Sequence, residues 1–164
     1  MLSISEIIDI AIQIEKNGEK TYRDAIEKVS SSSLASLLIW LADEEVKHVE
    51  WFEELKQTAG KAPVDPLLEE MGKKVLTAAL GHQAFSLEEV NFSNISEIKK
   101  LLNVAIEFER DTVLFYKMIQ TFIQEEKVQE LLNLIINEEN RHILVLQQFQ
   151  DKGLKNIPKD LNPE

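Results

Sequence analysis

An all-α bundle of four helices is the expected architecture, and three features of the sequence carry it. With 44% hydrophobic residues but only 5 glycines and 4 prolines in 164 residues, the chain is rich in helix formers and poor in the turn residues that a many-stranded fold needs. Apolar residues recur at intervals of three and four over four long stretches, the period of a helix with one buried face. The second and third stretches are separated by residues 61–93, far longer than a loop between antiparallel neighbours. A crossover along the bundle is therefore required.

The first helix is expected over residues 3–30, with Ile8, Ala11, Gly18, Tyr22, Ala25 and Val29 on one face and Ser3 with Glu6 as a capping box at its start. The run Ser30-Ser31-Ser32-Ser33 breaks the periodicity and reads as a turn. Leu34, Leu37, Leu38, Leu41, Phe52 and Leu55 then resume it as far as Gly60. In the crossover, Asp65 is placed as an N-cap and Pro66 as the first helical residue. Leu67, Leu68, Met71, Val75 and Leu76 follow at helical spacing until Gly81, which predicts a short covering helix, with a further turn at Ser86 and Glu89. Asn94 and Glu97 form another capping box, opening a helix through Leu102, Ala105, Thr112, Tyr116 and Ile119 to about Gln124. The fourth helix covers Val128 to Gln150, with Leu132, Ile135, Leu146 and Phe149 inward and Gly153 as its stop. Four helices with one long crossover describe a ferritin-like bundle rather than a simple up-down-up-down one. A single domain over 1–164 is expected, made of two helix pairs at about 3–60 and 94–153.

Composition narrows the chemistry. The net charge of −11 from 18 basic and 29 acidic residues leaves no phosphate-neutralising surface, so nucleic acid is excluded as a partner. No cysteine is present, which removes disulfides, thiolate nucleophiles, cysteine-ligated zinc and iron–sulfur clusters. Any metal must then be held by histidine and carboxylate. The N-terminal residues lack a basic region followed by an apolar run, and acidic residues interrupt every candidate span, so a soluble cytoplasmic protein without membrane contact is expected.

An internal repeat organises the rest. Ala11-Ile12-Gln13-Ile14-Glu15-Lys16 aligns without gaps on Ala105-Ile106-Glu107-Phe108-Glu109-Arg110, an offset of 94 residues. Tyr22 and Tyr116, Glu45 and Glu139, and His48 and His142 share that offset, the signature of a duplicated helix pair. Each half supplies a helix with Glu-x6-Tyr and a helix with Glu-x-x-His. Residues three apart on a helix lie about 5–6 Å from each other on one face, so Glu45 with His48, and Glu139 with His142, can aim at one point. These residues, like Glu15 and Glu109, fall within the apolar stripes, where a charge without a compensating partner is costly. Four carboxylates and two imidazoles converging on a bundle core match the ligand inventory of di-iron and di-manganese bundles. Mixed nitrogen and oxygen donors suit iron or manganese better than calcium.

A single Glu-x-x-His means little in a chain where Glu fills 22 of 164 positions. Two of the three histidines matching at the offset of a Glu-Tyr pair is a far more specific signal. Glu44 and Glu138, four residues before His48 and His142, are rival ligands. Glu107 and Glu19 read as surface charges, and His82 as a loop residue. Tyr22 and Tyr116 read either as core aromatics or as partners whose hydroxyls reach the ligand carboxylates. Trp40 and Trp51 read as packing or interface aromatics.

Through Glu15-Lys16-Asn17-Gly18-Glu19-Lys20-Thr21-Tyr22, Asp43-Glu44-Glu45-Val46-Lys47-His48, Glu109 with Tyr116, and Glu138-Glu139-Asn140-Arg141-His142, the sequence resembles the rubrerythrin-like branch of the ferritin-like superfamily. The resemblance implies two iron ions, with manganese or zinc as alternative occupants, held by Glu15, Glu45, His48, Glu109, Glu139 and His142. These six would form the catalytic centre of an oxidoreductase that reduces hydrogen peroxide or dioxygen under oxidative stress. The alternative is an iron-handling protein without dedicated turnover. Rubrerythrins also carry a cysteine-ligated rubredoxin-type iron site, which this chain cannot build, so electrons are expected from an external donor protein. They carry a further metal-binding Glu three residues after the third-helix ligand, where this chain has Thr112. A homodimer is the expected assembly.

Overall fold

The computed structural model describes residues 4–58, 66, 67, 70, 74, 95–123 and 126–152, and four helices account for nearly all of them. Helix α1 spans Ile4–Ile26, α2 Ser32–Thr58, α3 Ile95–Phe122 and α4 Glu126–Lys152. The four periodic stretches thus become the four helices, and no strand occurs among the described residues.

The α1–α2 turn differs from expectation in its boundaries. Helix α1 ends at Ile26 rather than at residue 30, and Val29 lies beyond it, half-buried against the core. The α2 side of the turn is set by a cap within the serine run. The Ser31 hydroxyl oxygen accepts the Leu34 amide at 3.3 Å, and its carbonyl accepts the Ala35 amide at 2.9 Å, so Ser31 serves as the N-cap and Ser32 already belongs to α2. Ser3 and Asn94, and the predicted stop Gly153, lie outside the described residues, as do Asp65, Leu68, Met71, Val75, Leu76, Gly81, Ser86 and Glu89 of the crossover. Pro66, Leu67, Glu70 and Lys74 are helical, as the Asp65–Pro66 signal predicts. Leu67 is 56% exposed.

Burial explains why the crossover must be long. One apolar cluster joins Ile7, Ala11 and Ile14 from the start of α1 to Phe52 and Leu55 from the end of α2. It also takes Phe115 and Ile119 from the end of α3 and Val128 and Leu132 from the start of α4. A second cluster joins the opposite ends: Ala25 of α1, Leu37 and Leu41 of α2, Leu102 and Ala105 of α3, and Leu146 and Phe149 of α4. Helices α2 and α3 therefore run in the same direction. The chain between them must return along the bundle, about 40 Å for a 27-residue helix. Helix α1 packs on α2, α3 on α4, and α2 lies beside α4. The buried polar residues Glu15, Glu45, His48, Glu109, Glu139 and His142 fall between the two apolar clusters on all four helices.

None of the described helices is long and apolar enough to cross a membrane.

Candidate metal centre

Each helix brings its ligand-type residue to the same level of the bundle because the residues on either side are locked in the two clusters. On α1, Glu15 follows the buried Ile14 and precedes the buried Gly18 and Tyr22. On α4, Glu139 and His142 lie between Ile135 and Leu146, all fully buried. The six side chains form two overlapping groups whose donor atoms lie within 4.8 Å of one another: Glu15, Glu45, His48 and Glu139, and Glu45, Glu109, Glu139 and His142. Glu45 and Glu139 belong to both groups. Each group thus has its own carboxylate and imidazole, Glu15 with His48 and Glu109 with His142, around a shared pair.

Both imidazoles turn Nδ1 toward the carboxylates. His48 Nδ1 lies 2.9 Å from Glu139 Oε1 and 3.2 Å from Glu15 Oε2. His142 Nδ1 lies 3.0 Å from Glu139 Oε2, 3.6 Å from Glu45 Oε1 and 3.7 Å from Glu109 Oε1. The tyrosines cross between the repeats. Tyr22 of α1 donates its hydroxyl to Glu109 of α3, and Tyr116 of α3 donates to Glu15 of α1. Both tyrosines belong to the apolar clusters, so each is a core aromatic whose hydroxyl also reaches a carboxylate. Burial, and then the facing carboxylate, push both phenols well above their ordinary range, so both hydroxyls remain donors.

The electrostatics are those of charges gathered without enough compensation. Burial, reinforced by Glu15, Glu139 and Glu109, raises the Glu45 carboxyl well above its ordinary value. Burial and Glu139 raise Glu109 to about 7. Burial alone would also raise Glu139, but His48 and His142 together hold it well below the carboxylate range. The same contacts overcome the burial that disfavours charged imidazole, lifting His48 to about 11 and His142 to about 10.

The buried side-chain atoms that lack a hydrogen bond among the described residues are Glu45 Oε1, His48 Nε2, Glu109 Oε2, both oxygens of Glu139 and both nitrogens of His142. Buried polar atoms are ordinarily paired, and all seven orphans belong to this one cluster. Several lie near an opposite charge without hydrogen-bond geometry. A cation satisfies such atoms by coordination, and the mixed imidazole–carboxylate set fits a transition-metal ion.

The rival acids are engaged elsewhere. Glu44 pairs with Lys47 at 2.5 Å, Glu138 with Arg141 at 3.7 Å, Glu107 with Arg110 at 2.6 Å and Glu19 with Arg23 at 2.8 Å. His82 lies outside the described residues. Thr112 is buried, and its hydroxyl donates to the Phe108 carbonyl of its own helix at 3.0 Å. The tryptophans pack against the imidazoles of the centre. Trp40 meets the His142 ring edge-on at 5.1 Å, and Trp51 lies against His48 at 5.5 Å. For Trp51 the sequence holds a signal, since it follows His48 by three residues and shares its helical face. For Trp40 it holds none, because the contact is made across helices.

A crystal structure from Thermotoga maritima, described as a ferritin-like diiron-carboxylate protein, superposes with a TM-score of 0.65 at 21% identity, over 92% of this chain and 96% of that one. The fold is thereby that of a ferritin-like four-helix bundle. No curated protein matches the chain. The rubrerythrin family model matches residues 6–99, more than half of the sequence and the stretch that contains Glu15, Glu45 and His48, so the chain belongs to the rubrerythrin family.

Proposed function

We propose that this protein is a di-iron carboxylate oxidoreductase that reduces hydrogen peroxide or dioxygen with electrons from a separate donor protein. The observation that carries this reading is the sharing of Glu45 and Glu139 between two groups of donor atoms, which suits two adjacent cations rather than one. Glu15 and His48 would hold one ion, Glu109 and His142 the other, and the shared pair both. An iron pair supplies two electrons to an O–O bond. The chain's own contribution is placement. Tyr22 and Tyr116 fix the carboxylates of Glu109 and Glu15 and keep a hydroxyl proton beside each. The apolar clusters above and below exclude water from the centre. Thr112 offers no carboxylate one turn after Glu109, and its hydroxyl is engaged with its own helix. Both ions would therefore keep the same protein ligands in either redox state.

The test is anaerobic loading with ferrous iron followed by peroxide. About one peroxide consumed for each pair of ferrous ions, with re-reduction by a rubredoxin-like donor, is the expected result. Iron uptake well beyond two ions per chain without donor-dependent turnover would replace this reading with iron handling.

A further inference from the structure

A histidine that ligates a metal through one ring nitrogen usually donates its other N–H to a carboxylate, carbonyl or water, and that bond fixes the ring's orientation. Here Nδ1 of both imidazoles faces the carboxylates, and Nε2 of both is buried without a hydrogen-bond partner among the described residues. Rings meet the imidazoles instead. His48 and His142 stack on each other at 5.4 Å with their planes 19° apart. Trp51 closes on His48 at 5.5 Å, and Trp40 closes on His142 at 5.1 Å, nearly perpendicular. Four rings thus form one column, Trp51, His48, His142 and Trp40. The Arg141 guanidinium lies over the Trp40 ring at 5.7 Å and fixes that end.

The repeat makes this arrangement informative. The position equivalent to Trp51 in the second half is Val145, and the position equivalent to Trp40 is Leu134. The duplication therefore does not dictate either indole, and His142 has a valine where His48 has Trp51. Trp40 reaches across from α2 to supply the ring that α4 lacks. We propose that Trp51 and Trp40 are positioning residues, one for each half of the centre, which hold the His48 and His142 rings with Nδ1 toward the carboxylates by aromatic contact. This rests on the two-ion reading above.

The experiment is a cobalt(II) titration of the full chain, followed by visible absorption, in backgrounds that isolate each half. With His142→Ala, only the Glu15–His48 half retains its imidazole. In that background Trp51→Leu is expected to weaken cobalt binding 10- to 100-fold, the usual scale for losing an orienting partner, and Trp40→Leu to change it by less than about 2-fold. With His48→Ala the two tryptophans exchange roles. Trp51→Phe and Trp40→Phe keep a ring in place and are expected to restore most of the affinity. Equal weakening of both halves by either substitution, or no weakening by both, overturns the inference even though the parent chain binds cobalt. A parent chain that takes up no cobalt overturns the two-ion reading itself, and the inference with it.

Discussion

Glu15 receives the hydroxyl of Tyr116, and Glu109 receives that of Tyr22. His48 approaches Glu15 and Glu139, and His142 approaches Glu109, Glu45 and Glu139. Across the 94-residue repeat, then, the two half-sites agree in the residue types that face the centre and in the crossed tyrosine contacts, while His142 adds a 3.0 Å approach to Glu139 of its own helix. They differ further in what lies behind the centre. Gly18 in the first half stands where the second has Thr112, and Trp51 where the second has Val145. The near-symmetry of donors and the asymmetry of supports show that coordination constrains the inner atoms, whereas the surrounding shell is free to solve packing in two ways.

The largest test of this comparison separates shared from private ligands. Glu45→Ala or Glu139→Ala is expected to abolish binding of both ions, because each carboxylate belongs to both groups. His48→Ala or His142→Ala is expected to lower metal content by about one ion, and His82→Ala to leave it unchanged. Elemental analysis of purified protein reads all five, and a full complement in both private-histidine variants would break the assignment.

Next in size is the effect of metal on stability. Each ion that binds only the folded chain at 100 times its dissociation constant stabilises it by about 2.7 kcal/mol, and a chain of this length gains about 2–4 °C in melting temperature per kcal/mol. The gain should grow with pH. Glu109, raised from 4.5 to about 7, holds its proton longer folded than unfolded. Its stabilising contribution is complete below about pH 4.5 and is lost as pH rises through 7. His48 and His142, raised from 6.5 to about 11 and 10, contribute fully below pH 6.5 and lose that contribution only in the alkaline range. Glu139 acts oppositely, its contribution present above about pH 4.5 and lost in acid. The metal-free melting temperature should therefore fall between pH 5 and 8, while bound ions replace the protons and flatten the dependence. A metal-free profile that rises over this range would contradict the buried carboxylate cluster.

Smaller effects probe the symmetric tyrosines. Tyr22→Phe and Tyr116→Phe each remove a donor from a buried carboxylate, a loss of about 1–3 kcal/mol, and the two should match in metal affinity because the contacts are repeat-related. A clear inequality would show that the half-sites differ at the donors as well as behind them. The smallest effect is expected at the asymmetric pair. A methyl at Gly18 would lie 3.2 Å from Glu45 Oε2 and from the Phe108 ring, so Gly18→Ala should displace Glu45 by a few tenths of an ångström and cost about 1 kcal/mol in binding. Thr112→Ala removes only a hydroxyl bonded to its own helix and should change binding less.

What the sequence determined by itself was local and periodic. Helical spacing located all four helices to within a few residues. The pairs Glu45–His48 and Glu139–His142 were legible because residues three apart on one helix share a face, and the repeat tied Glu15 to Glu109 and Tyr22 to Tyr116. Where local signals competed, the boundaries shifted. Four serines in a row did not reveal that Ser31 would be the cap and leave Val29 outside α1, and helical spacing in the crossover did not reveal that Leu67 would face outward. The relations between helices were decided only by tertiary packing: which carboxylates serve both halves, the crossing of each tyrosine to the opposite repeat, and the indole of α2 against the imidazole of α4. These depend on the axial stagger and rotation of one helix against another. Those quantities are set by how the two apolar clusters interlock across all four helices, and no periodicity within a single helix encodes them.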